Sequence, residues 1–158
     1  MKKIILAMIA VMVPLMLSAG STDFWFRNFS VEDGLSSCAV RAIMQDKYGF
    51  MWLGTDDGLN RYDGTTIKIY RLNPEGVNDY ISFLYDTTDR IWIGTGDGVY
   101  IYDYETENFE PFKLLPAKGD SIKTNVNHIA EDRDGNLWFS TVGQGIFKYN
   151  VSKHYLEH

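Results

Sequence analysis

At 158 residues the chain is long enough for one modest domain, and 45% apolar with 15% aromatic residues supplies that domain with a core. The formal net charge of −6, with no basic run beyond the first residues, argues against nucleic acid or anionic lipid as a partner. A single cysteine, Cys38, excludes a disulfide within the chain and reads as a small buried apolar residue.

The first stretch is a leader. Lys2 and Lys3 precede an apolar run of 14 residues from Ile4 to Leu17, and Ser18-Ala19-Gly20 follow. A basic start, a short apolar stretch and small residues at its exit predict a secretory signal peptide over residues 1–20, cleaved after Ala19 or Gly20. The run is shorter than the ~20 residues of a membrane-spanning helix, although an uncleaved anchor stays open as a reading. Without Lys2 and Lys3, 13 basic residues face 21 acidic ones, a net charge of −8.

Phe24-Trp25-Phe26-Arg27-Asn28-Phe29 then reads as a strand, and Asp33-Gly34 as a turn. From here one phrase is written three times. Asp46-Lys-Tyr-Gly49-Phe-Met-Trp52-Leu-Gly54-Thr55 is followed by Gly58, Tyr62 and Asp63. The second copy runs from Asp86 through Asp89, Trp92, Gly94, Thr95 and Gly98 to Tyr102 and Asp103. The third runs from Asp132 through Gly135, Trp138, Ser140, Thr141 and Gly145 to Tyr149 and Asn150. Asp and Trp are six residues apart in every copy, and the tryptophans are 40 and 46 residues apart. A period of this size with several short strands per unit is the signature of a propeller or related repeat.

Each unit reads as a four-stranded antiparallel meander. The first has strands at 40–45, 51–55, 59–62 and 67–70, separated by turns of the Asp-x-x-Gly and Asp-Gly kind. The second has strands at 81–85, 91–94, 99–102 and 109–112. The third has 126–131, 137–140 and 146–149, and its fourth strand starts near Tyr155. Repeats therefore span about 36–72, 78–114 and 124–158. A single such sheet cannot bury both faces and must stack on neighbours. Trp52, Trp92 and Trp138 suit the wedge between blades, Gly54 and Gly94 suit a close approach beside those rings, and Tyr62, Tyr102 and Tyr149 pack on one face. The fold class is all-β: about three propeller blades of an incomplete ring, residues 21–158, with the 24–29 strand placed to close the ring.

The pattern Asp-x-x-Gly-x-x-Trp-x-Gly-Thr-x-x-Gly-Leu-x-x-Tyr-Asp resembles the two-component regulator propeller repeat, and Asp33-Gly34-Leu35-Ser36-Ser37 resembles the opening before the first such repeat. The resemblance covers about residues 24–150. It implies the sensor region of a hybrid two-component histidine kinase of the Bacteroidetes type, periplasmic, with the parent protein anchored in the inner membrane. It further implies remaining blades in the same chain, a homodimer in the full-length protein, and an oligosaccharide ligand. The sequence departs from the pattern at Cys38, usually Asn, at Asp89 in place of the turn glycine, and at Ser140 in place of glycine.

Residues repeated in every blade, such as Asp46, Asp86 and Asp132, read as scaffold. No paired carboxylates or nucleophile–base arrangement stands out, so catalysis is not expected in this segment. His128, His154 and His158 do not cluster with Cys or carboxylates, and neither a metal nor another cofactor is expected. Function is sought in what does not repeat: the inter-blade connections 71–79 and 113–124, which share a face with the turns between second and third strands. Candidate ligand-binding residues there are Arg71, Asn73, Asn78, Tyr80, Lys123 and Asn125, with Arg71 and Lys123 suited to an acidic sugar or a sulfate. Two other readings stay open: a fragment of a secreted propeller glycosidase or lyase, and a non-catalytic protein-interaction propeller.

Overall fold

The structure, a computed structural model, describes residues 25–73, 79–114 and 121–158. These form three four-stranded antiparallel sheets, each a meander of consecutive strands. Blade 1 is β1 (Val40–Gln45), β2 (Met51–Thr55), β3 (Gly58–Tyr62) and β4 (Ile67–Tyr70). Blade 2 is β5 (Ile81–Asp86), β6 (Arg90–Thr95), β7 (Val99–Asp103) and β8 (Asn108–Pro111). Blade 3 is β9 (Val126–Glu131), β10 (Leu137–Thr141), β11 (Ile146–Asn150) and β12 (Tyr155–Glu157).

Register makes the repeat literal. Val40, Ile81 and Val126 face Thr55, Thr95 and Thr141 across the first two strands of their blades. The ladder slips by one residue just after each of these positions. Such a bulge increases twist, and here it recurs at the same place in all three inner strands. Each of the three threonines also donates its hydroxyl to the carbonyl of a turn glycine: Gly58 and Gly98 at 3.0 Å, Gly145 at 2.9 Å.

The first turn of each unit explains the Asp-to-Trp interval. Asp46 accepts the backbone N–H groups of Tyr48 and Phe50 at 2.9 Å and the Trp52 indole N–H at 2.7 Å. Gly49 closes that turn with a φ of 89°. Asp132 repeats the arrangement with Asp134, Asn136 and Trp138. In blade 2, Asp89 replaces the glycine, and the turn instead closes from the Thr87 N–H to the Arg90 carbonyl at 2.8 Å. Asp86 there accepts the Tyr104 hydroxyl at 2.9 Å.

Two apolar layers lie between blades. Trp52, Leu59, Ile81, Leu84 and Tyr102 are buried between blades 1 and 2. Trp92, Val99, Val126, Phe139 and Tyr149 are buried between blades 2 and 3. Trp52 and Trp92 fill the wedge as expected, at 0% and 4% exposure. Trp138 does not: it is 39% exposed, because blade 3 has no described neighbour on that side. Gly54 and Gly94 are constrained by the next inner strand rather than by the tryptophan rings. A Cβ on Gly54 would lie 2.6 Å from Ile81 Cγ2, and one on Gly94 would lie 3.2 Å from Val126.

Further expectations need correction. Residues 25–30 form no strand and pair with none of the three sheets. Trp25 and Phe26 are almost fully exposed, while the Phe29 ring meets Tyr62 edge-on at 5.0 Å. Cys38 is exposed rather than buried. It takes the position before β1 that Asp79 takes before β5, and only Asp79 has a preceding inter-blade connection folded around it. Residues 1–20, Phe24 and Asn78 lie outside the described residues.

Candidate functional site: the connection face

The inter-blade connections and the β2–β3, β6–β7 and β10–β11 turns share one face, and hydrogen bonds fasten them together. The Gly58 N–H donates to the Asp79 carbonyl at 2.9 Å, the Gly96 N–H to that of Tyr80 at 3.1 Å, and the Val142 N–H to that of Asn125 at 2.9 Å. Of the candidate residues, Tyr80 and Asn125 are thus fixed by a turn, and the three donors belong to three successive blades.

Arg71 is committed to Asp57. Its guanidinium reaches both carboxylate oxygens, Nη2 at 2.9 Å from Oδ2, and also the Asp57 carbonyl. The ion pair raises the Arg71 pKa and largely cancels its charge. The expected role of Arg71 as an anion receptor therefore loses its main support, since an incoming sulfate or carboxylate would meet Asp57 as well. Arg41 and Asp56 form a second bidentate pair, at 2.7 and 3.0 Å, and the same guanidinium stands 6.0 Å from the Tyr80 ring centroid. The Asn73 backbone N–H donates to Asp79 Oδ1 at 2.8 Å. Lys123 is exposed, its backbone N–H held by Gln144 Oε1 at 2.9 Å. With Gln144, Phe147 and His158 it lines a hollow of about 270 Å³.

Three residues here escaped the sequence reading. Asp79 is 5% exposed; its Oδ1 accepts the N–H groups of Leu72 and Asn73. Its Oδ2, like Asn125 Oδ1, is shut from solvent with no hydrogen-bond partner among the described residues. Asn60, fully buried in β3, accepts the Ser36 N–H at 2.9 Å and donates to Ser36 Oγ at 2.8 Å, so it staples the segment before β1 to the sheet. A signal existed for Asn60: it stands where the other copies carry Tyr100 and Phe147. Gln144, in the turn that carries the third copy's extra residue, was the remaining one.

Stacked four-stranded meanders with this connection face define a β-propeller segment. The model of the family described as two component regulator propeller matches residues 34–57 and 121–143 of the chain. Over 59 residues, 37% of its length, it is 54% identical to Histidine kinase P4 of Formosa agariphila, of which it covers 4%. Among solved structures it is similar to the extracellular domain of a hybrid two-component system, BT3049, of B. thetaiotaomicron: 30% identity, a TM-score of 0.74, covering 84% of this chain and 20% of that one. Virginiamycin B lyase from Staphylococcus aureus, at 16% identity and a TM-score of 0.55 over 75% of this chain and 40% of its own, shares the fold alone. The chain spans about a fifth of the sensor ectodomain it matches and a small part of the kinase.

Proposed function

We propose that the chain is an extracytoplasmic ligand-sensing propeller segment of a two-component sensor histidine kinase, exported to the periplasm by its leader and not itself catalytic. The similarity to a hybrid two-component extracellular domain over 84% of the chain supports the sensor role. Further blades and a second copy of the parent protein are its proposed partners.

The ligand class rests on one observation: Asp79 Oδ2 and Asn125 Oδ1 are enclosed acceptors with no donor among the described residues. Such groups are costly unless satisfied. The hydroxyls of an oligosaccharide are suitable donors, and Tyr80, next to Asp79 in the chain, offers a ring on the same face. With Arg71 held by Asp57, the favoured oligosaccharide is neutral. Calorimetry with matched neutral and anionic oligosaccharides tests this. Tyr80→Ala and Asn125→Leu should each weaken a neutral binder at least ~10-fold, about 1.4 kcal/mol. Wild-type binding by both variants, with folding intact, would remove the site from this face.

A further inference from the structure

A second, unrepeated feature runs between blades 2 and 3, from the β7–β8 and β11–β12 turns to the start of the connection after β8. Between blades 2 and 3 lies a crevice of about 700 Å³, walled by Trp92, Ile101, Phe112, Leu114 and Tyr149. It continues toward the first turn of blade 2 into a hollow of about 300 Å³, with Trp92 and Tyr149 lining both.

The repeat itself shows why this crevice is open. Between blades 1 and 2 the corresponding space is plugged. The Tyr104 ring meets Tyr48 edge-on at 5.3 Å, with Lys47 Nζ 4.4 Å from the Tyr104 centroid. Arg61 roofs the Trp52 layer, its guanidinium 4.7 Å from the Phe50 ring and 5.7 Å from that of Trp52. Between blades 2 and 3 the same positions hold Val151 for Tyr104, Thr88 for Tyr48, Thr87 for Lys47 and Ile101 for Arg61. The backbone does not account for the change. The turns before β8 and β12 have the same left-handed residue in the same place, Glu107 at φ 54° and His154 at φ 50°. Side chains alone empty the hollow end, which Thr87, Thr88 and Val151 line; in the wider crevice Ile101 replaces Arg61 and Arg90 replaces Phe50.

They also change its charge. Thr106 and Glu107 of the β7–β8 turn become Lys153 and His154 in the β11–β12 turn. Lys153 and Lys113 line the crevice, and neither has an ion pair among the described residues. Arg90 is 3.9 Å from Asp103, and Glu110 is the other carboxylate on the wall. Toward the first turn Asp89 and Glu131 line the hollow. A concavity of this volume that combines an apolar wall with charged groups has the makings of a small-molecule site.

We propose that this crevice binds a small organic anion: an apolar ring system seated against the half-buried Ile101, Phe112 and Leu114, with a carboxylate or sulfate group at one of the lysines, Lys113 or Lys153. It is distinct from the oligosaccharide reading and does not depend on it.

Titration of 2-naphthoate and its neutral amide into the full chain by calorimetry tests the proposal. Naphthoate should bind saturably, one per chain, and at least ~10-fold more tightly than the amide. Leu114→Asp, which puts a carboxylate on the apolar wall of the crevice, should abolish binding of both. Lys113→Gln with Lys153→Gln, two exposed substitutions that leave the packing alone, should bring the two affinities together. Absence of naphthoate binding, binding indifferent to Leu114→Asp in a folded variant, or a carboxylate preference that survives loss of both lysines would each overturn it. So would loss of binding on Trp138→Lys with the crevice intact, which would place the anion on the open face of blade 3.

Discussion

The Trp52 indole N–H donates to Asp46 Oδ2 at 2.7 Å, inside a turn whose backbone the same carboxylate also holds. One side chain thereby fixes both the turn and the orientation of the ring that the next blade packs against. Asp132 and Trp138 repeat the pairing at 3.0 Å on a side with no described neighbour. The pairing is therefore made within a blade, and burial of the ring is added by stacking.

Stability should follow that division. Trp92→Ala removes a ring that touches Phe112, Phe139 and Tyr149 and should cost about 3–5 kcal/mol. Trp138→Ala, at a half-exposed position, should cost under ~1.5 kcal/mol. Urea midpoints of the two variants check this; equal losses would show that the wedge contributes nothing beyond the hairpin.

The close approach at Gly54 gives a second expectation. Gly54→Ala drives a methyl onto Ile81 and should destabilise by ~1–3 kcal/mol, with Gly94→Ala less harmful because its nearest contacts are looser. Combined with Ile81→Ala, the Gly54→Ala penalty should largely vanish. Strict additivity in this double-mutant cycle would rule out the steric explanation.

Two carboxylates at equivalent positions should respond to pH with opposite signs. The hydrogen bonds from Trp138 and Asn136 hold the Asp132 carboxyl well below the usual range, so its contribution is present above ~3.9 and is lost as pH falls through the folded value. Burial raises the Asp86 pKa, against the Tyr104 hydrogen bond, so its effect is most favourable below ~3.9 and fades as pH rises toward the folded value. Asp132→Asn should therefore destabilise at pH 7 and still destabilise, by a smaller amount, near pH 3. Asp86→Asn should stabilise at pH 7 and be nearly silent near pH 3. Denaturant midpoints at the two pH values decide it.

The outer faces of blades 1 and 3 should make the chain self-associate. Val40 and Ile43 are 41% and 65% exposed, whereas Ile81 and Leu84, their counterparts in blade 2, are 0% and 7%. Ile146 is 60% exposed where Leu59 and Val99 are 0% and 4%. Contiguous apolar surface of this kind associates. Sedimentation should show concentration-dependent oligomers that Ile43→Lys and Ile146→Lys reduce; a wild-type monomer throughout would contradict it.

The strands were legible because glycine, aspartate and tryptophan recur at fixed offsets, and each offset has a local cause in the turn or the ladder. What lay between blades was not. The exposure of Trp138 and Cys38 depends on which neighbour is present, and the identical local motif of Trp138 carries no sign of it. The reason for Gly54 sits on Ile81, a residue of the next unit. The engagement of Arg71 by Asp57 depends on two turns meeting, and a count of charges along the chain does not reveal that. The hollow end of the crevice was recorded in the sequence at Tyr104 and Val151, but reading it required the register that makes them equivalent.

Among the described residues every strand pairs only with neighbours in the chain, so each sheet closes its ladder within a span of about 31 or 32 residues (40–70, 81–111, 126–157). Loop closure is correspondingly inexpensive, and contacts between distant parts of the chain are confined to one blade meeting the next. A nascent chain can thus complete its first meander before the second has been synthesised, with each finished blade offering the next its template. Ile81 finding Gly54, and Val126 finding Gly94, would then mark successive steps of a directional assembly that runs from the amino end to the carboxyl end.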